Sequence, residues 1–390
     1  MILNIFFGIG VSIVNTRFLG PQIYGEYKLI SSIFLFLTTF TNFGYYFSTS
    51  RLVAKSDNIQ IKRNIISGSL TVSFIISIFN IILLLFFSFY INHIFNAQLS
   101  IALRVCLPLI LILQLKLCLE NIFQGDNKIK HLSILRTSPQ LLYLVFAFII
   151  GYFSGLNLIS ALLLQLVLSF IVVAGLISNL NPEFSGIRKA FNILNKENKS
   201  YGIHVYTGAL SNVGAAQLFS MLIGYFVDPT SVGFYSLAVT VCGPIRMCAG
   251  VFGTTFFKKF SSSSSISNKV LISAFCVSLA IITVFFLLVG KVIILFYSEK
   301  YSPAINLSYI ICFGFMLHGF GDIFNRFLGA HGKGKEIRNG AIATGLVSLC
   351  AGILLTMSFG VVGTAIATSL TGIFYFSMMV WFYSKRNTHK

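Results

Sequence analysis

Phe, Leu and Ile recur in blocks of about 20 residues along nearly the whole 390-residue chain, and this block length constrains the fold more than any motif does. A helix of that length crosses roughly 30 Å of hydrocarbon, and lipid offers no partner for unpaired backbone groups, so each block must satisfy its own hydrogen bonds. The chain is 56% hydrophobic and 10% charged, where an ordinary soluble domain is about 25% charged. Its mean hydropathy is +0.86. A membrane-spanning β-barrel is excluded because its strands would place polar residues at alternate positions. The expected class is an all-α integral membrane protein.

Apolar windows bounded by charged residues or by Gly, Pro and Asn give twelve spans, near 1–16, 28–48, 65–90, 100–121, 132–153, 157–178, 201–226, 231–257, 269–290, 304–326, 338–358 and 361–383. With the N-terminus inside, the inner segments carry twenty-one of the 28 Lys and Arg residues and the outer loops five, leaving Lys116 and Arg246 within spans. That asymmetry predicts that both termini are cytoplasmic. The net charge of +18 is scattered over short inner segments, which suits anionic lipid and excludes a nucleic-acid partner. No loop is long enough to host a separate domain.

The seven cysteines lie inside apolar blocks without CxxC spacing or nearby His, so they read as packing residues rather than metal ligands or disulfides. No cofactor motif is present. The first block is short and has no leading charge, which predicts a start upstream of Met1 or a first helix beginning at the interface; no cleavable signal is evident.

Two stretches echo each other. RFLGPQIYGEYKL (17–29) and YFVDPTSVGFYSL (225–237) align without a gap at an offset of 208, sharing Phe18/Phe226, Pro21/Pro229, Gly25/Gly233, Tyr27/Tyr235 and Leu29/Leu237. A second pair, NIFQGDNKIK (121–130) and NRFLGAHGKGK (325–335), aligns at 204 to 205 and shares Asn121/Asn325, Phe123/Phe327, Gly125/Gly329, Lys128/Lys333 and Lys130/Lys335. Six spans separate the members of the first pair, so both face the same side of the membrane. This is the mark of a parallel repeat of two six-helix halves. The boundaries expected are 1–180 for the first lobe, 181–200 for a cytoplasmic linker and 201–390 for the second lobe. Pro fixes its own φ and Gly permits a positive one, so the echoed motif predicts a tight, rigid outer hairpin closing each half.

RFLGPQIYGEYKL, TNFGYYFSTSRLVAK (41–55), the FQGDNKIK turn and VGFYSLA (232–238) together resemble the polysaccharide-transporter branch of the multidrug/oligosaccharidyl-lipid/polysaccharide exporter superfamily, and within it the O-antigen flippases. The resemblance implies two six-helix lobes around a central cavity. It further implies movement of an undecaprenyl-diphosphate-linked oligosaccharide from the cytoplasmic to the periplasmic leaflet by alternating access, alongside a polysaccharide polymerase and a chain-length regulator.

A diphosphate headgroup needs cationic donors in a wet cavity. Arg246 lies mid-span in span 8, two residues after Pro244, where a charge costs about 2.5 to 3.5 kcal/mol unless it faces water or a partner. It is the first candidate for the diphosphate. Lys116 and Glu120 are four apart on one face of span 4: either the cation binds substrate while the acid takes a proton, or the two pair. Asp322 and Arg326 repeat that spacing in span 10, with Asp322 the second candidate for ion coupling. Arg51, at the inner end of span 2, is a headgroup or gate candidate whose topological role weighs more. Asn42, Asn212 and Gln217 suit sugar hydroxyls or interhelical hydrogen bonds alike; His204 and His318 are proton relays or simply hydrogen-bonded. Arg17 sits at the outer end of span 1.

Three functions compete. A lipid-linked oligosaccharide flippase explains Lys116 and Arg246. A cation-coupled multidrug exporter calls for mid-span carboxylates, and Glu120 and Asp322 sit toward helix ends. A membrane polymerase calls for a large outer loop or a catalytic constellation, and neither is present, so the chain does not read as an enzyme. An ion gradient, the membrane potential and downstream consumption of substrate remain equal candidates for the driving force.

Overall fold

A computed structural model of the chain describes residues 2–180, 182–184 and 186–387, with the side chains of 2, 3, 5, 209, 211–215, 386 and 387 outside that description. Fifteen helices follow one another: α1 (Ile2–Phe40), α2 (Tyr45–Lys55), α3 (Ile59–Phe87), α4 (Ile91–Phe95), α5 (Ser100–Cys106), α6 (Leu111–Gly125), α7 (Ile129–Phe153), α8 (Leu158–Ser178), α9 (Ile187–Glu197), α10 (Ile203–Phe226), α11 (Pro229–Thr255), α12 (Phe257–Ser262), α13 (Asn268–Val292), α14 (Pro303–Ala330) and α15 (Gly334–Asn387). No strand occurs among the described residues. Each of the twelve predicted spans falls largely on helix.

Among the described residues, seven helices are long and apolar enough to cross a membrane, and the bent pair Ser100–Leu109 and Leu111–Gly125, angled by 49°, makes eight. Fusion hides three further predicted spans, two in α1 and one in α15. α1 holds both spans 1 and 2 joined at Gly20 (φ 72°, ψ 172°), and α15 holds spans 11 and 12 joined at Gly360 (φ 59°, ψ −140°). The surface is equally diagnostic. Only 11% of the most apolar window of Asn268–Tyr297 is buried, and Phe275, Leu279, Phe286 and Leu287 stand exposed along α13, which only a lipid surround tolerates. The chain is a multi-pass membrane protein.

Span 2 differs from expectation. Rather than running through 28–48, the helix stops at Phe40 and restarts at Tyr45, because Phe43 (φ 47°) and Gly44 (φ 87°) take left-handed conformations that end an α-helix.

The contacts divide the chain into two units, residues 1–217 and 218–390. In the first, α6 is central and touches α2, α3, α7 and α8. Buried Gln114 on α6 receives the Tyr46 hydroxyl (2.8 Å) and donates to Thr41 Oγ1 (2.8 Å) and the Thr38 carbonyl (3.2 Å), stitching α6 across the α1–α2 break. α9, expected in a linker, packs on α3, where Gly68 admits Ala190 and Leu194. In the second unit α14 is the core, with 61% of its apolar window buried between α11 and α15.

The repeat is visible in the local geometry. Gly20 and Asp228 occupy the same place at the 208-residue offset, and each precedes a proline that opens the next helical segment. Asp228 also caps α11, accepting from the Ser231 amide and hydroxyl at 2.8 Å each. The echoed motif is therefore a helix break followed by a proline start. Gly25 and Gly233 lie within helix, and the positive φ falls at Gly20 instead. At their C-terminal ends, α6 and α14 finish on matching left-handed residues, Asn127 (φ 54°) and Gly332 (φ 70°). The following amide reaches back five residues in both, Lys128 to the Phe123 carbonyl (2.9 Å) and Lys333 to the Leu328 carbonyl (3.0 Å), the pattern of a Schellman cap.

Candidate functional site

In the second unit, small residues let α11 and α14 approach closely. A methyl group at Gly319 would overlap the Arg246 carbonyl, and one at Gly253 would lie 3.1 Å from Ile323 Cα and Arg326 Cγ. This sets Arg246 of α11 beside a polar group on α14 and α15. Tyr375 donates to Asp322 Oδ1 (2.9 Å) while its oxygen accepts from Asn325 Nδ2 (2.9 Å), so the hydroxyl is satisfied in both roles. The His318 ring stacks on Tyr375 with centroids 4.2 Å apart, its Nδ1 3.9 Å from Asp322 Oδ2 and, among the described residues, without a hydrogen bond. The Arg246 guanidinium lies within electrostatic range of His318, Asp322 and Tyr375. Two sequence candidates, Arg246 and Asp322, are thus brought together. Arg326 acts on Asp322 through space, with no direct ion pair between them among the described residues.

The first unit holds a separate arrangement. Lys116 and Glu120 do share a face of α6, but Glu120 Oε2 accepts from Arg136 of α7, at Nε (3.2 Å) and Nη2 (2.9 Å). Lys116 forms no direct ion pair among the described residues. With Asn4, Ser133, Thr137 and Gln140 these charges line a cavity of about 460 Å³. Arg136 reads in the sequence as a topology charge. The usable signal is that spans 4 and 5 fold back on each other at the short turn before Ile129, so residues similarly distant from it meet.

The remaining candidates are more structural. Arg51 pairs with Glu197 at 2.8 Å and lies over the Tyr201 ring at 4.4 Å, its charge spent within the unit. Asn42 turns its amide to the backbone at the α1–α2 break, accepting from the Gly44 amide (2.8 Å) and donating to the Thr39 carbonyl (3.1 Å). Gln217 is half-buried near the C-terminal end of the first unit and His204 is exposed on α10. The Asn212 side chain lies outside the described residues.

Residues 1–262 match the family model described as polysaccharide biosynthesis protein. The chain belongs to that family. No curated protein matches it in sequence. Among solved structures, lipid II flippase MurJ in an inward closed conformation is 16% identical with a TM-score of 0.79, covering 98% of this chain and 85% of that one. An inward-facing multidrug resistance MATE transporter of the MOP superfamily is 16% identical with a TM-score of 0.73, covering 99% and 96%. The MATE multidrug transporter DinF-BH is 12% identical with a TM-score of 0.69, covering 98% and 92%. At such identities the likeness is one of fold, and it upholds the resemblance carried by RFLGPQIYGEYKL and its companion motifs.

Proposed function

We propose that this member of the polysaccharide biosynthesis protein family is a flippase. It carries an undecaprenyl-diphosphate-linked oligosaccharide, the O-antigen repeat unit, from the cytoplasmic to the periplasmic leaflet of the bacterial inner membrane by alternating access. The observation that carries this reading is the family match over residues 1–262, joined to the fold of a lipid II flippase. The cations set into spans suit a diphosphate. Arg246, exposed beside the Asp322 group, is the first candidate for the diphosphate, Lys116 of the first unit is a second cationic candidate, and Asn42, Gln217, Asn212 and Arg51 are weaker candidates. Asp322 is the better coupling residue, since the Glu120 carboxylate is already held by Arg136.

The test is surface O-antigen in cells lacking the chain and complemented with variants at matched protein level. Arg246→Ala abolishes display and Arg246→Lys retains part of it; full display from Arg246→Ala removes the assignment. A second reading, a cation-coupled multidrug exporter, is favoured by the fold shared with MATE transporters. It requires that the same cells gain resistance to a cationic dye while O-antigen display stays unchanged.

A further inference from the structure

His331 closes the C-terminal end of α14 with both nitrogens of its ring. Nδ1 lies 2.9 Å from the Phe327 carbonyl, one of the last of α14, and Nε2 lies 3.0 Å from the Ser263 carbonyl in the loop between α12 and α13. A backbone carbonyl can only accept, so each contact asks the ring for an N–H. Neutral imidazole carries one N–H and one lone pair, whereas imidazolium carries two N–H groups. The neutral ring therefore satisfies one carbonyl and turns its lone pair toward the other, while the protonated ring bonds both. The end of a helix, where the last carbonyls lack partners from a following turn, also draws a cation. Phe327 holds the ring in this pose: its own ring lies 4.4 Å away and packs on Phe260 of α12 and Tyr383 of α15. Half-buried, His331 stays within reach of solvent protons.

The first unit makes the repeat-related tie with different chemistry. There Asp126, in the turn after α6, reaches Lys62 on α3 at 2.6 Å. The histidine beside that turn, His131, lies 5.4 Å from the Phe123 ring and makes no hydrogen bond among the described residues. A carboxylate and an ammonium ordinarily keep their charges through neutral pH, and a histidine does not. Around the His331 ring, α12 carries Lys258 and Lys259, α13 carries Lys269 and α14 carries Arg326. Lys333 of the turn pairs with Glu336 of α15 at 3.3 Å, and α15 also carries Lys335, Arg338, Tyr383 and Lys385. Side chains of these other types ordinarily change charge outside the range near neutrality in which histidine does. We infer that His331 is a proton-operated clasp: its imidazolium holds the loop before α13 to the end of α14, and loss of one proton releases that loop as pH rises. The contacts that make the clasp are the same whatever the chain transports.

The experiment is amide hydrogen exchange of the full chain in detergent, read by mass spectrometry at about pH 5.5 and about pH 8, either side of the histidine range, and corrected for the intrinsic pH dependence of exchange. Its reporter is the stretch 257–270, which holds the Ser263 loop and the Ile266 amide that donates to the Tyr383 hydroxyl at 3.1 Å. In the wild type its protection falls about tenfold from the lower pH to the higher, as expected for loss of one hydrogen bond to a charged group. A closed state that binds the proton more tightly is stabilised on the acid side and loses that stability as pH rises. The stretch 58–64, tied through Lys62 to Asp126, keeps its protection over the same range. His331→Gln brings the reporter at the lower pH close to the wild-type value at the higher one and removes the pH dependence. His331→Arg keeps its donors, cannot shed its charge and also removes the pH dependence, so it decides where the Gln variant does not fold. An unchanged wild-type reporter, an equal fall in 58–64, or a pH dependence that survives either substitution overturns the inference. O-antigen display from the Arg246 variants is read separately, so failure of the clasp leaves the flippase reading standing and failure of that reading leaves the clasp.

Discussion

Tyr27 and Tyr235 stand 208 residues apart and make the same contact in their own halves. Tyr27 donates to Gln165 on α8, and the Tyr235 hydroxyl shares a hydrogen bond with Thr368 on α15 at 2.8 Å. Both tyrosines are buried, at 5% and 4% exposure, so each ties the second span of its half to the sixth. Tyr27→Phe removes the hydrogen bond to Gln165, and Tyr235→Phe removes one of two at Thr368, whose hydroxyl still donates to the Thr364 carbonyl at 2.9 Å, each at about 0.5 to 1.5 kcal/mol. Tyr27→Phe and Tyr235→Phe are each expected to lower the unfolding temperature in detergent. Because each bond closes within its own unit, the losses in the double variant add. A double variant no less stable than either single one would show that the two bonds do not act separately.

Asp126 closes the turn between α6 and α7, with Lys62 at 2.6 Å and Lys128 at 2.9 Å. Burial pushes its pKa up, but the hydrogen bonds and charges of Lys62 and Lys128 outweigh burial and bring the carboxyl below its ordinary value of 3.8. A group depressed on folding stabilises the protein fully above its unfolded pKa, and that stabilisation drains as pH falls through the folded one. The wild type should therefore lose this contribution only below about pH 4, the ordinary carboxylate range. Asp126→Asn should be less stable at pH 7, with the gap to wild type closing below that pH and narrowing in high salt.

The span lengths, the repeat and the family were legible because block length and turn chemistry are local properties. The break at residues 41–44 was not. TNFG sits inside an apolar run, and its left-handed Phe43 is imposed by packing around Gly44 and Asn198 rather than by propensity. Asn42 likewise suits a sugar equally well in the sequence, and only the fold commits its amide to the backbone. Arg246 with Asp322 was half legible: both charges stand out in apolar spans, whereas Tyr375, an aromatic among many, is recognised only once α14 and α15 pack. The Glu120 partner was hidden for a different reason, because an Arg near a helix end serves topology and pairing with the same residue type.

Tyr375 carries a second stability prediction. Its hydroxyl supplies Asp322 with a donor and Asn325 with an acceptor, so Tyr375→Phe strands both at once. The expected loss is about 1 to 3 kcal/mol, read as a lower unfolding temperature. Asp322→Asn preserves the acceptor for Tyr375 but removes the charge beside Arg246. It should therefore unfold at a temperature nearer the wild type than Tyr375→Phe does, while lowering O-antigen display if Asp322 serves transport. Equal stability of Tyr375→Phe and the wild type would place the energetic weight of this cluster elsewhere.

Gly44 and Gly202 set the tolerance of the α1–α2 break. A methyl on Gly202 would overlap the Ser48 hydroxyl, Asn198 Oδ1 and the Gly44 carbonyl, and one on Gly44 would run into the Gly202 backbone while straining a φ of 87°. Backbone cannot move aside as a flexible side chain can, so Gly44→Ala combines overpacking with a left-handed penalty of about 1 to 2 kcal/mol. Gly202→Ala has the same overlap without the strained φ. Both should yield little folded protein by size-exclusion profile, with Gly44→Ala the worse. Gly243→Ala on α11 is the matched control, since nothing lies within 4 Å of a β-carbon there. A Gly44→Ala protein recovered as well as Gly243→Ala would mean that the break is not held by this close contact.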